Sequence, residues 1–175
     1  MSEKEIRRRV LMCEYKKNLK NYIVTSRFNN STWKENKEYR ESNKRIGCIY
    51  CSPVTITSEI PQDMILFVLE MNNDNNKILG IGLVRNHPIM NKYNVYKNGN
   101  YNRYTYVGKT RIDRNEMTNE EEIVIKALEI LCFKGAQNLK RGHGINLFPI
   151  NLLYNCLKKI DIVDFINKMF KGRIE

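Results

Sequence analysis

At 175 residues, with 42% hydrophobic and 28% charged positions, the chain fits one globular domain with a core of its own, not a disordered or fibrous sequence. No apolar run reaches the ~18 residues that cross a bilayer, and the opening MSEKEIRRRVLMCEYKK lacks the apolar stretch of a secretory signal, so an intracellular protein of cytoplasm or nucleus is expected. Thirty Lys and Arg against nineteen Asp and Glu give a net charge of +11, which draws polyanions; nucleic acid, RNA or DNA, is the expected partner and an acidic protein surface the alternative.

In chain order, Ser2 and Glu5 have capping-box spacing and predict a basic helix through about Lys17 that carries Arg7, Arg8 and Arg9. Residues 22–26 (YIVTS) read as a strand. Residues 27–44 are polar, with Phe28, Trp33 and Tyr39 as their large rings, and predict a loop with a short helix. A second strand over 46–50 is stopped by Pro53. The continuous apolar run 64–69 (MILFVL) predicts a strand buried on both faces, and the asparagine-rich 72–76 turns it into a partner strand at 78–84. Gly80 and Gly82 in that partner predict bulges or a tight barrel bend.

Residues 93–114 (YNVYKNGNYNRYTYVGKTRIDR) hold half of the chain's ten tyrosines. Asn98-Gly99 is a two-residue turn signal, so this stretch predicts a second hairpin. Tyr101, Arg103, Thr105 and Val107 alternate with Asn102, Tyr104 and Tyr106, and neither face is apolar, which predicts a half-exposed ribbon. On that ribbon Arg103 and Arg111 are expected to bind, Tyr101 is a candidate for stacking, and Tyr104 and Tyr106 are expected to pack. Thr118 and Glu121 form another capping box, opening a helix to about Lys134 with an apolar stripe of Val124, Ala127, Leu128 and Leu131, ended by Gly135. Lys140-Arg141-Gly142-His143-Gly144 is a basic loop, Pro149 opens a helix to about Lys159, and Asp161 caps a last one ending near Gly172. The expected organisation is one α+β domain: a helix over 1–20, a β-rich part over 21–115 and a helical part over 116–175.

The five cysteines suit a reducing compartment. Cys48 and Cys51 form a single CxxC without the second pair that a closed zinc site needs, so buried thiols are expected, with no metal and no cofactor.

The order of elements resembles a family. A strand ending at Ser26, then Trp33 in the following segment, then a short strand, then a hairpin whose return reads Ile81-Gly82-Leu83-Val84 is similar to the PUA-like barrels of the EVE and YTH type over residues 20–86. The resemblance implies a small mixed β-barrel with flanking helices that reads a flipped, modified base in an aromatic pocket. By position in the pattern, Ser26, Asn29, Trp33 and Tyr50 would line that pocket. Trp33 is the only tryptophan, so a two-tryptophan cage for a methylated base is not available. The chain is also similar in character to proteins of large DNA viruses, which implies no activity but would place it in the host-cell cytoplasm or the virion.

Phosphates would be held by Arg45, Arg103, Lys109, Arg111, Arg114, Lys140 and Arg141, the basic residues nearest those aromatic segments. GxGxxG, P-loop, HExxH and GxSxG patterns are absent, so no catalytic residue is assigned. The alternatives are a virion-associated or regulatory protein-interaction domain and, less favoured, a metal-dependent nuclease using Asp113 and Glu116.

Overall fold

The structure, a computed structural model, describes residues 1–174; the final residue of the expected helical part lies outside them. The chain runs α1 (Glu3–Asn18), β1 (Asn21–Phe28), α2 (Asn30–Ser42), β2 (Cys48–Ser52), β3 (Ile65–Asn72), β4 (Lys77–Arg85) and β5 (Ile89–Met90). It continues through β6 (Tyr104–Gly108), β7 (Thr110–Asp113), α3 (Asn119–Phe133), β8 (Ile145–Leu147), α4 (Ile150–Cys156) and α5 (Ile162–Ile174). The fold is α+β. Its strands form a five-stranded sheet, β7–β4–β3–β1–β8, and a three-stranded sheet, β2–β6–β5, with no closed barrel among the described residues.

Strand periodicity explains the layering. Along β1 and β3, Ile23, Phe67, Leu69 and Met71 face one side and join Ile125, Leu128, Ile166 and Phe170 from α3 and α5 in one core. Tyr22, Val24, Leu66 and Val68 face the other side and join Ile49, Tyr50 and Tyr106 from the small sheet. The five-stranded sheet is therefore covered by helices on one face and by a second sheet on the other, which is why residues 64–69 carry no polar alternation. β1 and β3 pair in parallel, Tyr22 opposite Leu66 and Phe28 opposite Asn72. The connection between them includes α2 and β2, while β8, from the C-terminal third, adds itself antiparallel beside β1.

Four expectations change. Residues 93–102 are not a strand: Asn102 is buried, its Oδ1 accepts from the Val95 and Tyr96 amides at 3.1 and 3.0 Å, and its Nδ2 donates to the Tyr96 carbonyl at 2.7 Å. One side chain thus takes the backbone groups that a hairpin ladder would have used, and Asn98 caps a 3₁₀ turn over Gly99–Asn102. The ribbon is not half-exposed either, since β6 lies between β2 and β5 with Thr105 and Tyr106 fully buried, and β7 belongs to the other sheet. In α3 the buried stripe is Ile125, Leu128 and Cys132, one residue out of phase with the expected one; Ala127 is exposed. The segment expected to be a loop with a short helix is a 13-residue helix, α2, capped by Asn29 and Thr32 and carrying the i,i+4 pairs Lys34–Glu38 and Lys37–Glu41.

A candidate ligand site at the carboxyl ends of the parallel strands

Open α/β sheets leave their ligand crevice beyond the carboxyl ends of parallel strands, where the chain diverges to either side. Here β1 ends at Phe28 and turns into α2, β3 ends beside it at Asn72, and the basic loop before β8 folds across both. Between them lies a recess of about 240 Å³. Its walls are Ser26 to Asn29 and Thr32 on one side, Asn73, Lys140 and Gly142 to Gly144 on another, and Cys51, Tyr96 and Tyr101 on a third. This volume is below the ~300–1,000 Å³ of drug-sized pockets and suits one ring system or one nucleotide unit.

Two glycines shape the loop. Gly144 has φ +67°, and a Cβ there would fall on the Ser52 hydroxyl; Gly142, at φ +138°, faces the Arg27 guanidinium and Asn146. Arg27 Nε donates to the Leu139 carbonyl at 2.6 Å and Nη1 to Asn146 Oδ1 at 2.6 Å, fastening the loop to β1. Asn73 Nδ2 donates to the Lys140 carbonyl at 2.9 Å, while Asn73 Oδ1 is buried without a hydrogen-bond partner. Burial lowers the Arg27 guanidinium from its ordinary value.

The expected base-pocket residues separate. Ser26 and Asn29 line the recess, although the Asn29 side chain is engaged as the α2 cap, accepting from the Thr32 amide at 2.8 Å. Trp33 lies outside it. Its ring meets Phe28 edge-on at 5.1 Å, with the guanidinium carbons of Arg40 and Arg111 5.2 and 5.3 Å from its centroid, so it anchors α2. Tyr50 is fully buried between the sheets and donates to Glu70 Oε1 at 2.7 Å. Burial first, then the Glu70 charge, push its phenol well above its ordinary value, so it is a fixed donor rather than a base.

The phosphate candidates separate likewise. Lys140 lines the recess with Arg141 beside it. Arg103 is exposed, its guanidinium carbon 5.3 Å from the Tyr104 ring centroid, just before the end of β6 that pairs with Ser52 near the loop. Arg45 and Lys109 are exposed at the opposite end of the β2–β6 pair, where Cys48 faces Gly108. Arg111 and Arg114 are engaged in ion pairs inside the fold. Arg111 Nη2 lies 2.6 Å from Glu70 Oε2 and Nη1 2.7 Å from Asp113, with side-chain exposures of 8% for Arg111 and 1% for Glu70. Burial alone would lower the Arg111 guanidinium, but Glu70 overrides it and holds it above its ordinary value. Arg114 bridges Glu122 and Glu129, each at 2.6 Å.

Among the described residues no group of three His, Cys, Asp or Glu is placed to hold a metal ion. Asp113 and Glu116 cap a 3₁₀ turn and each other's backbone, and Asp113 is paired with Arg111, so the carboxylates expected for a nuclease are structurally committed. Cys48 and Cys51 point to opposite faces of β2 by strand alternation. Burial pushes their thiols up to about 12 and about 11, which keeps them protonated and poor metal ligands.

The sequence reading missed Arg27, Asn73 and Tyr96 as site residues. Arg27 reads as the first residue of the polar 27–44 segment, and only the extension of β1 and its pairing with β8 reveal that it faces the basic loop. No protein-family model, curated protein or solved structure matches this chain.

Proposed function

We propose that this protein is a nucleic-acid-binding module that seats a single base of RNA or DNA, modified or not, in the recess between Ser26, Tyr96 and the 140–144 loop. The observation that carries the reading is the composition of that recess. Aromatic surface from Phe28, Tyr96 and Tyr101 meets small hydrogen-bonding groups, Ser26, Thr32 and Asn73, under a rim that carries the Lys140 cation. Base recognition in single strands combines these parts: a ring for the base face, hydroxyl and amide groups for its edge, and cations for the backbone. The fold supports the reading by putting the recess at the ends of parallel strands, and the net charge of +11 supplies attraction.

The test is fluorescence anisotropy with short single-stranded RNA and DNA at ~50 mM salt and upward. The observed affinity should fall with salt at a log–log slope of about −0.7 for each phosphate contacted. Absence of binding to either polymer at low salt would end the reading.

A further inference from the structure

Partly buried arginines in this fold have carboxylate partners, with two exceptions, Arg27 and Arg40; Arg40 donates to Asn36 Oδ1 at 2.9 Å, lies over the Trp33 ring and does not line the recess. Arg111 has Glu70 and Asp113, Arg114 has Glu122 and Glu129, and Arg173 has Glu121. Arg27 is half-buried in the recess wall and bonds only to neutral acceptors, through Nε and Nη1. Among the described residues no carboxylate pairs with it and its Nη2 has no hydrogen-bond partner. A guanidinium withdrawn from water without an anion is costly, and an entering anion would relieve that cost.

The surroundings keep the unpaired nitrogen open. A Cβ at Gly142 would lie 3.3 Å from Arg27 Nη2 and 2.9 Å from Asn146 Oδ1, so a side chain there would crowd the guanidinium. Lys140 lines the same recess, adding a second cation. On the neighbouring wall, Asn73 Oδ1 is a buried acceptor without a donor. A phosphate at neutral pH offers acceptors only, so it complements Arg27 and not Asn73; the N–H groups of a base complement Asn73 and not Arg27. Tyr96 and Tyr101, tilted 74° to each other with centroids 6.3 Å apart, supply the apolar surface of the recess.

We propose that Arg27 is the anion-binding group of the recess and that the site takes one nucleotide together with its phosphate, the guanidinium holding the phosphate through Nη2 and Asn73 accepting from the base. This rests on the recess being the nucleic-acid site. The phosphate is either a terminal monoester or an internal diester, and both present the same acceptors to the guanidinium.

The experiment is a titration of the whole chain, followed by amide and arginine side-chain NMR, with the four ribonucleoside 5′-monophosphates, the matching nucleosides and inorganic phosphate. Saturable shifts are expected at Gly142, Gly144, Asn146 and the Arg27 side chain, with at least one monophosphate binding about 10–100-fold more tightly than its nucleoside. Arg27→Gln should remove that preference, and Gly142→Ala should weaken it while leaving the charge in place. Circular dichroism checks that each variant folds, and the wild-type comparison of nucleotide with nucleoside decides the matter even where a variant does not. Oligonucleotides with a 5′-phosphate, a 5′-hydroxyl or an internal diester alone then separate the two sources. Equal binding of nucleotide and nucleoside, or shifts confined to surfaces away from residues 139–146, would overturn the proposal. If oligonucleotides bind but the recess shows no phosphate preference, this inference falls and the nucleic-acid reading stands. If monophosphates bind at Arg27 while no oligonucleotide does, the reverse holds.

Discussion

Replacing Arg111 by Met distinguishes an internal ion pair from a phosphate contact. Arg111 and Glu70 are held as a bidentate pair, Nε to Oε1 at 2.8 Å and Nη2 to Oε2 at 2.6 Å, and Tyr50 donates to the same carboxylate. Gly80 and Gly82 on β4 make the space: a Cβ at Gly80 would lie 2.7 Å from Arg111 Nη2 and 2.9 Å from Glu70 Oε2, and one at Gly82 would fall on the Tyr50 hydroxyl. Arg111→Met leaves the Glu70 charge buried with one neutral donor. Breaking such a pair from one side costs about 3–5 kcal/mol. In a domain of this size, where 1 kcal/mol moves Tm by about 2–4 °C, the expected loss is roughly 6–20 °C. The double variant Glu70→Gln with Arg111→Met removes both charges, keeps an acceptor for Tyr50, and should lose less than the two single variants summed, by ~0.5–3 kcal/mol. Thermal and urea unfolding at pH 7 measure all four corners of the cycle. A Tm for Arg111→Met within 2–3 °C of the wild type, roughly the effect of a surface substitution, together with a shallower salt slope for oligonucleotide binding, would refute the structural role and restore Arg111 as a surface contact.

Three further outcomes follow from the same geometry. Gly82→Ala overpacks the space of the Tyr50 ring and should destabilise by at least ~1–3 kcal/mol in urea unfolding; a neutral result would mean the two sheets are not in contact there. Arg173 beside Glu121 and Arg114 beside Glu122 hold these carboxyls below the ordinary glutamate value. The stability they contribute is therefore present above about pH 4.3 and lost as pH falls through the lowered folded values. Arg173→Gln should cost stability at pH 7 and progressively less toward pH 3, and a cost independent of pH would contradict the pairing. Lys140→Ala should leave stability within ~0.5 kcal/mol, because the Asn73 bond is to the Lys140 backbone, while reducing the salt slope of oligonucleotide binding by about 0.7.

The elements that were legible in the sequence are those specified within a few residues. Both capping boxes, Ser2 with Glu5 and Thr118 with Glu121, form as their spacing requires. The β3–β4 hairpin follows from a continuous apolar run and an asparagine turn. Gly135 ends α3, with φ +83°. What stayed hidden depended on partners far along the chain. The Asn98-Gly99 signal was sound for a turn, but Asn102 drew the preceding backbone into a loop. Gly80 and Gly82 were expected to mark bulges or a tight bend, and what no local pattern foretold is that they also admit Tyr50, Glu70 and Arg111 from three other strands. The register shift falls at Gly80: Glu70 alone, between Leu69 and Met71 on β3, faces Leu79 and Gly80, between Ile78 and Ile81, so the extra residue lies on β4. In the site, Ser26, Asn29, Trp33 and Tyr50 were all placed by position in the pattern, and only Ser26 and Asn29, which end a strand and cap the next helix, reach the recess. An aromatic ring in a sequence does not declare which side of a sheet it covers.

A net charge of +11 fixes the sign of the protein's field but not the place where an anion would rest. Arg7 and Arg9 on α1 are exposed, and an exposed cation is satisfied by water. Lys16, Lys34, Lys37 and Lys168 pair with surface carboxylates, which in high dielectric contributes little either way. Arg111 and Arg114 are removed from the count of available cations by partners inside the fold. Of the two partly buried arginines that sorting leaves, Arg40 is covered by the Trp33 ring and Asn36, whereas Arg27 has restricted water, neutral groups as its only partners and an opening beside a glycine. The force on an anion is therefore greatest where desolvation and an unmet charge coincide, and in this fold they coincide at the carboxyl end of β1.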